Sequence, residues 1–429
     1  MTHLFRELQR REARNQPVRT AVVGAGFMGK GIVYQLSKMP GMRPSLVVNR
    51  STDKGVQAYV EAGYDRAKVV VSDDVDRLAA AIAEGRPAVS GAVGIAGKIS
   101  TLDVVIEATG AVEGGAREAL SCFAGKKHFV SLNAETDGTI GCLLKARGDQ
   151  AGVVYTNADG DQPGVIMRMA EWCAGCGFEV LAAVNCKGFM NIRATPDSIM
   201  EWAVKQRTSP RMTCAFTDGT KMNIEQNVVC NATGLVPAKR GMIGVKTDLK
   251  NAVKDFESTG ALGQAIEGGP GIVDYTLAGD FGGGIFIIAR GKNREFVQPY
   301  LKYLKMGDGP NYMFFRPYHL CHIETPLSAA EAVVYGEATI APRGRPVAQT
   351  IAVAKRDLKP GDVLDGIGGF NQYGELEIAD KARGLLPIGL ADGVKLKRAI
   401  KQDQPIPEDA VELDEESLLV RLWREQERM

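Results

Sequence analysis

The sequence has little of several things, and each shortage excludes something. No apolar run reaches the length that crosses a membrane, so no membrane role is expected. Charge is almost balanced, with 52 Lys and Arg against 51 Asp and Glu and a net charge of +1. That balance argues against a nucleic-acid partner held by bulk charge. Histidine is scarce, at 4 residues, and the 8 cysteines are scattered. The C-x-x-C of Cys173 and Cys176 falls within a predicted helix and has no partner pair, so neither a zinc site nor a redox motif is expected. Core thiols in a reducing cytoplasm fit that pattern. Residues Met1–Gln16 are rich in Arg, Glu and Gln and lack the apolar core of a signal peptide. They read as a solvated leading helix. The 429 residues suggest two to three domains.

What is present is most informative at residues 19–31, Arg-Thr-Ala-Val-Val-Gly-Ala-Gly-Phe-Met-Gly-Lys-Gly. A short apolar strand ends at Val23, and a helical pattern (Ile32, Val33, Leu36) begins behind the glycines. Gly24, Gly26 and Gly29 have G-x-G-x-x-G spacing, with Phe27 and Met28 between the last two. Gly24 permits the tight turn, Gly26 lets a pyrophosphate reach the backbone, and Gly29 lets the helix pack against the strand. The helix start offers N–H groups to the anion. A second apolar strand follows at Ser45–Val48. This context predicts a dinucleotide-binding fold.

The end of that second strand bears on which dinucleotide. NAD-binding proteins usually place a carboxylate there for the ribose hydroxyls. Asn49-Arg50-Ser51 stands there instead. Nothing in it repels a 2′-phosphate; Arg50 can pair with one and Ser51 can donate to it. The expected cofactor is NADP(H), although Arg50 would look the same as a solvated loop cation.

Strands and helices alternate through the first third. Strands are expected at Lys68–Val71, Asp103–Glu107 and His128–Leu132, and helices at Asp74–Glu84 and Glu113–Phe123. The βαβ rhythm predicts a parallel, doubly wound sheet. The turn Ala108-Thr109-Gly110 is placed where small residues would let the nicotinamide half approach. Residues 85–101 break the rhythm and read as a loop or small hairpin. Beyond residue 150 come a strand at Gly152–Thr156, a helix at Val165–Cys176 and a strand at Glu179–Asn185. A helical stretch at 212–233, a strand at 281–290 and a helix at Ser328–Tyr335 follow. From Pro342 onward, short strands with Pro and Gly turns predict a small β-rich module.

Three stretches carry a resemblance. The N-terminal pattern, the strand Asp-Val-Val-Ile-Glu-Ala-Thr-Gly at 103–110 and the turn Gly188-Phe-Met-Asn191 resemble homoserine dehydrogenases. The end of the chain is similar to the SAF module, through residues 354–362 and Leu386-Pro387-Ile388-Gly389. Combined, these resemble the deoxyxylulose-phosphate reductoisomerase-like enzymes of bacterial isoprenoid synthesis. Homoserine dehydrogenases carry Asn-Lys after the strand at His128–Leu132, whereas this chain has Asn133-Ala134-Glu135. Homoserine is therefore not the expected substrate. The resemblance implies a sugar-phosphate ketone, an NADPH hydride donor, a divalent cation (Mg²⁺ or Mn²⁺) and a cytoplasmic homodimer. It implies a Rossmann-type domain at 1–157 with a returning helix near 326–340. An α+β catalytic domain at 158–325 and an SAF-like domain at 345–429 complete the expected α/β architecture.

A reductoisomerase must stabilise developing alkoxide charge and supply an acid at a carbonyl. Hard divalent cations choose oxygen ligands, which makes Asp161 and Glu225 the candidate metal ligands. Asp159 and Asp161 flank Gly160, an arrangement that ordinary turn chemistry also produces. Lys187 follows an apolar strand and could bind phosphate or polarise a ketone, or stay a solvated cation. Asn191 could bind substrate hydroxyls. Asp218, Lys221 and Glu225 lie at i, i+3 and i+7 and share one face if helical, as a site or as an ion-pair ladder. His319 and His322, in His-x-x-His-x-Glu, are candidates for an acid or for a structural return of the chain. Three other readings remain open: an oxidoisomerase or dehydrogenase acting on a sugar acid, a non-catalytic NADP(H)-binding regulator, and, through the SAF-like module, a carbohydrate-handling protein whose nucleotide domain is vestigial.

Overall fold

The computed structural model describes residues 2–277 and 282–429. The chain divides into two compact units. The first takes Met1–Gly164, Leu320–Ala341 and Leu422–Met429; the second takes Val165–His319 and Pro342–Arg421.

The first unit is built on seven strands. They are β1 (Val18–Val23), β2 (Met42–Val48), β3 (Val70–Val71), β4 (Ala88–Ser90), β5 (Val104–Glu107), β6 (His128–Ser131) and β7 (Tyr155–Asn157). Their order is β3-β4-β2-β1-β5-β6-β7, with every neighbouring pair parallel. Parallel strands are covered on both faces and so read as unbroken apolar runs; β5 is buried throughout. From β1 the chain winds outward through β2 and then restarts on the other side at β5. That reversal opens a crevice beyond the carboxyl ends of β1 and β5, where ligands of such sheets bind. The helix Phe27–Lys38 follows β1 and buries Ile32, Val33 and Leu36, each worth about 1.5–3 kcal/mol. Ala329 and Ala330 of the helix Cys321–Tyr335 join the same core. The expected α/β class with a Rossmann-type sheet is the class found.

Two segments of this unit differ from expectation. Residues 85–101 are not a hairpin: Ala88–Ser90 is a strand inside the parallel sheet, and Ile95–Lys98 is a short helix. A fully buried strand of 3 residues is too short to show any period. A helix at Ala134–Ala151 was not expected at all. Every residue from Ala134 to Leu144 in it is buried, so that stretch has no exposed polar face to reveal it.

The second unit holds β8 (Phe178–Lys187), β9 (Val236–Pro237), β10 (Val245–Lys246), β11 (Ile272–Leu277), β12 (Ile285–Gly291) and β13 (Asn311–Arg316). The order is β10-β11-β8-β12-β13, with β9 also on β11. β11 runs parallel to β8, and β12 antiparallel to β8 and β13. Alternate residues serve opposite faces, as a pleated strand requires. Ile285 and Ile287 join a core with Met222 and Val229, while Phe286 and Ile288 join one with Ala252 and Phe256. The strand expected at 281–290 is β12; Phe281 lies outside the described residues.

The helical stretch expected at 212–233 is two helices, Pro210–Thr217 and Thr220–Thr233. The break falls at Asp218–Gly219, where Gly219 has φ +84, a conformation glycine adopts without strain. Residues 342–421 form β14 (Ala348–Ala354), β15 (Val363–Asp365), β16 (Gln372–Ile378), β17 (Asp392–Leu396) and β18 (Val411–Glu412). β14 pairs with β16, and β15-β17-β18 make a second small antiparallel sheet. Among the described residues no helix is long and apolar enough to cross a membrane.

Candidate functional site

The glycine loop has the geometry its spacing predicts. Gly24 has φ +101, and its backbone sits against Ala108. A Cβ on Gly29 would lie 1.9 Å from the Gly24 carbonyl oxygen, so only glycine lets the helix start so close to β1. Around Gly26 there is open space instead. No side chain caps the helix at Gly26, which leaves the N–H groups of its first turn, at Phe27, Met28 and Gly29, to bind an anion. Phe27 is 64% exposed beside them.

Asn49 has a role that its position alone did not reveal. Its Oδ1 accepts from Ala25 N at 3.0 Å, and its Nδ2 donates to Ser51 O at 2.8 Å. It therefore ties the end of β2 to the glycine loop. Arg50 and Ser51 are both exposed. The described residues thus fit a phosphorylated dinucleotide: an uncapped helix start, a glycine cradle, and a cation with a hydroxyl where a carboxylate would repel phosphate.

On the other side of the crevice, Glu107 ends β5 fully buried. Its Oε1 accepts from Thr109 N at 2.7 Å and also from Thr109 Oγ1. Burial pushes its carboxyl up to about 7, and the Thr109 bonds offset only part of that rise. Thr109 and Gly110 thus form a turn held by a buried acid, with Thr109 itself exposed. Asn133, which sequence reasoning did not single out as a site residue, ties this turn to the next helix. Its Nδ2 donates to Ala111 O at 3.1 Å, and its Oδ1 accepts from Thr136 N at 3.1 Å.

The loop after β7 carries Asp159 and Asp161, both buried. Asp159 N donates to Ser328 Oγ at 2.7 Å. Cys321 Sγ lies 3.9 Å from Asp161 Oδ1. Asp161 Oδ2 is buried and accepts no hydrogen bond among the described residues. His322 stands in the first turn of the helix Cys321–Tyr335 and covers Gly31: a Cβ there would lie 2.7 Å from its Cγ. The imidazole thus rests on the helix Phe27–Lys38, one turn beyond Phe27.

In the second unit the structure brings Lys187 and Glu225 together, with Nζ and Oε2 3.8 Å apart. Asn185 Nδ2 donates to the same Oε2 at 3.1 Å. Lys187 ends β8, and Asn185 lies two residues earlier on the same face of the strand. Glu225 comes from the helix Thr220–Thr233, whose residues 220–232 are all buried. The polar residues of that helix divide by what they touch. Asn223 Oδ1 accepts from Leu376 N, Gln226 Nε2 donates to Asp274 O, and Asn231 Oδ1 accepts from Val347 N. Those three fasten backbone. Lys221 and Glu225, at i and i+4, share another line of the helix.

The remaining expected residues are placed differently. Asp218 lies in the break between helices and does not continue the Lys221–Glu225 line. It pairs with Lys355 at 2.7 Å and accepts from Thr220 N at 2.8 Å. Asn191 is exposed, and its Oδ1 accepts from Arg193 N in a local turn. His319 is the last residue of the second unit's first segment. Of the two expected metal ligands, Asp161 lies in the first unit and Glu225 in the second. Asp161 has a thiol beside it, and Glu225 is engaged by an amide nitrogen and an ammonium group. Mg²⁺ and Mn²⁺ take clustered oxygens.

Residues 160–325 match the family model described as "Oxidoreductase DRL, catalytic domain". The match spans less than half of the chain and includes Lys187, Asn191, Lys221 and Glu225. That segment is thus similar to an oxidoreductase catalytic domain. No curated protein is close enough to count as a relative. Among solved structures, a probable dehydrogenase from Thermotoga maritima is 13% identical over 76% of this chain and 90% of its own, with TM-score 0.43. A myo-inositol dehydrogenase from Corynebacterium glutamicum is 9% identical over 70% and 75%, with TM-score 0.38. A 1-deoxy-D-xylulose 5-phosphate reductoisomerase from Zymomonas mobilis in complex with NADPH is 16% identical over 49% and 57%, with TM-score 0.34. Likenesses so distant carry no argument about what this chain binds.

Proposed function

We propose that this chain is an NADP(H)-dependent oxidoreductase, a dehydrogenase or oxidoisomerase acting on a sugar acid. The observation that carries it is the Lys187–Glu225–Asn185 cluster, a lysine held by a buried carboxylate inside the segment similar to an oxidoreductase catalytic domain. The nicotinamide cofactor, when bound, supplies or takes up the hydride. Lys187 moves the proton: its ammonium Nζ donates to the carbonyl oxygen in reduction, and in oxidation the neutral amine takes the hydroxyl proton and becomes that ammonium. Glu225 keeps that ammonium group oriented, and Asn185 fixes the carboxylate from the strand side. A lysine at a strand end also attracts an anionic substrate group. Arg50 and Ser51 select the 2′-phosphate.

The resemblance to deoxyxylulose-phosphate reductoisomerase-like enzymes supports a competing reading, the conversion of 1-deoxy-D-xylulose 5-phosphate to 2-C-methyl-D-erythritol 4-phosphate. That reading needs a divalent cation, which the first does not. The test is a nucleotide-coupled assay on two arms: a panel of sugar acids with NADP⁺, and the deoxyxylulose phosphate with NADPH and Mn²⁺. Turnover of a sugar acid is expected, with Lys187→Met losing roughly 10²–10⁴-fold. Turnover only of the sugar phosphate would replace the first reading with the second. Cofactor binding with no turnover on either arm would favour a non-catalytic regulator.

A further inference from the structure

The helix Ala134–Ala151 is broken inside: Ile140 has φ −134 and ψ 17, outside the helical region. An unbroken helix would close a bond from Leu143 N to Thr139 O. Here a side chain stands between them. Gln426 Nε2 donates to Thr139 O at 2.9 Å, and Gln426 Oε1 accepts from Leu143 N at 3.1 Å. Gln426 is 5% exposed. One primary amide thus supplies both the donor and the acceptor that the helix lost. Inserting a group into the i→i−4 ladder is a known cause of a kink. Two local features accommodate it. Thr139 Oγ1 donates back to Glu135 O at 2.7 Å, which bends helices, and the Asp137 side chain fills the space where a Cβ of Gly141 would lie 2.6 Å from its Cγ.

The half of the helix before the kink is stitched to the nicotinamide side of the crevice. Asn133 Nδ2 donates to Ala111 O at 3.1 Å, and Thr136 Oγ1 donates to Val112 O at 3.0 Å. Ala111 directly follows the turn Ala108-Thr109-Gly110. The first half, together with the Glu107 bonds to Thr109, therefore sets where that turn sits.

We infer that Gln426 is a positioning residue for the nicotinamide half of the cofactor, an inference that rests on the dinucleotide reading of the glycine loop. It acts through the kink and the Asn133–Ala111 bond and touches no cofactor itself. The adenine half is held by the glycine loop and Arg50, which Gln426 does not reach through this chain of bonds. The two halves must therefore respond differently. The experiment measures affinity of the full-length protein for NADPH and for 2′,5′-ADP, which has the adenine half alone. It compares wild type, Gln426→Ala, Gln426→Glu and Glu425→Ala. Gln426→Glu keeps the acceptor for Leu143 N and loses the donor to Thr139 O, so it carries the test if the alanine variant fails to fold. Glu425→Ala removes the neighbouring ion pair with Arg147 and controls for general loosening of this segment.

For both Gln426 variants NADPH affinity is expected to fall about tenfold, as for one or two lost hydrogen bonds, with 2′,5′-ADP unchanged within about twofold. Glu425→Ala should match wild type. Equal weakening of both ligands, or of neither, would overturn the inference while leaving the dinucleotide reading intact. Failure of wild type to bind either ligand would overturn that reading and this inference together.

Discussion

Lys355 Nζ and Asp218 Oδ2 are 2.7 Å apart, with side chains only 3% and 0% exposed. The lysine also donates to Ala194 O at 2.8 Å and Gly369 O at 2.7 Å. Every donor of its ammonium group is thereby used, which is what allows a charge to be buried. The pair ties the residues after β14 to the break between the two helices.

A buried pair with saturated partners is worth little against an apolar substitute, but removing one member strands the other. Asp218→Asn and Lys355→Met are each expected to cost about 3–5 kcal/mol, read as a lower denaturant midpoint. The double variant should lose less than the sum of the two. Additive losses in that double-mutant cycle would show that the two groups act independently.

Cofactor choice is predicted to depend on Arg50, which is exposed at the end of β2. Arg50→Asp should weaken NADPH by roughly 1.5–3 kcal/mol and leave NADH equal or improved. Titration of both nucleotides against wild type and variant measures it. Equal NADH and NADPH efficiency in the wild type would remove the basis for the prediction.

Two buried acids of the first unit give stability a pH dependence of known sign. Burial raises Glu107 from 4.5 to about 7 and Asp137 from 3.8 to about 6, the latter despite its bond from Tyr155 OH. Both bind protons more tightly folded than unfolded. Their contribution is most favourable below the unfolded values of 3.8 and 4.5 and declines as pH climbs through about 6 and about 7. Glu107→Gln with Asp137→Asn should remove that slope. Denaturant unfolding at about pH 5 and about pH 8 tests it; an unchanged difference between wild type and variant would contradict it.

The parts of the molecule that were legible in the sequence are those whose physics is local. Gly24 and Gly29 of the glycine loop each answer a need of their immediate neighbours, as the 1.9 Å approach behind Gly29 shows. Lys187 and Glu225 were each visible as polar residues in apolar surroundings. Their partner Asn185 was hidden inside a run that reads as core. Asp218 looked like a continuation of the helix face because the αL turn at Gly219 is one residue long. Its true partner, Lys355, is remote in sequence, and no periodicity links them. The helix Ala134–Ala151 was missed for the opposite reason: its residues 134–144 are all buried, which erases there the pattern by which a helix is recognised.

The first unit is assembled from three separate stretches of chain, the last being Leu422–Met429. Gln426 closes its contacts with Leu143 and Thr139 across sequence separations of 283 and 287 residues. During synthesis the seven-stranded parallel sheet can form early, since its strands are consecutive, but the helix at 134–151 lacks its inserted amide until Gln426 has left the ribosome. Closing so long a loop is slow relative to local structure. A nascent chain stalled before that point would therefore present the parallel sheet with one helix unfinished.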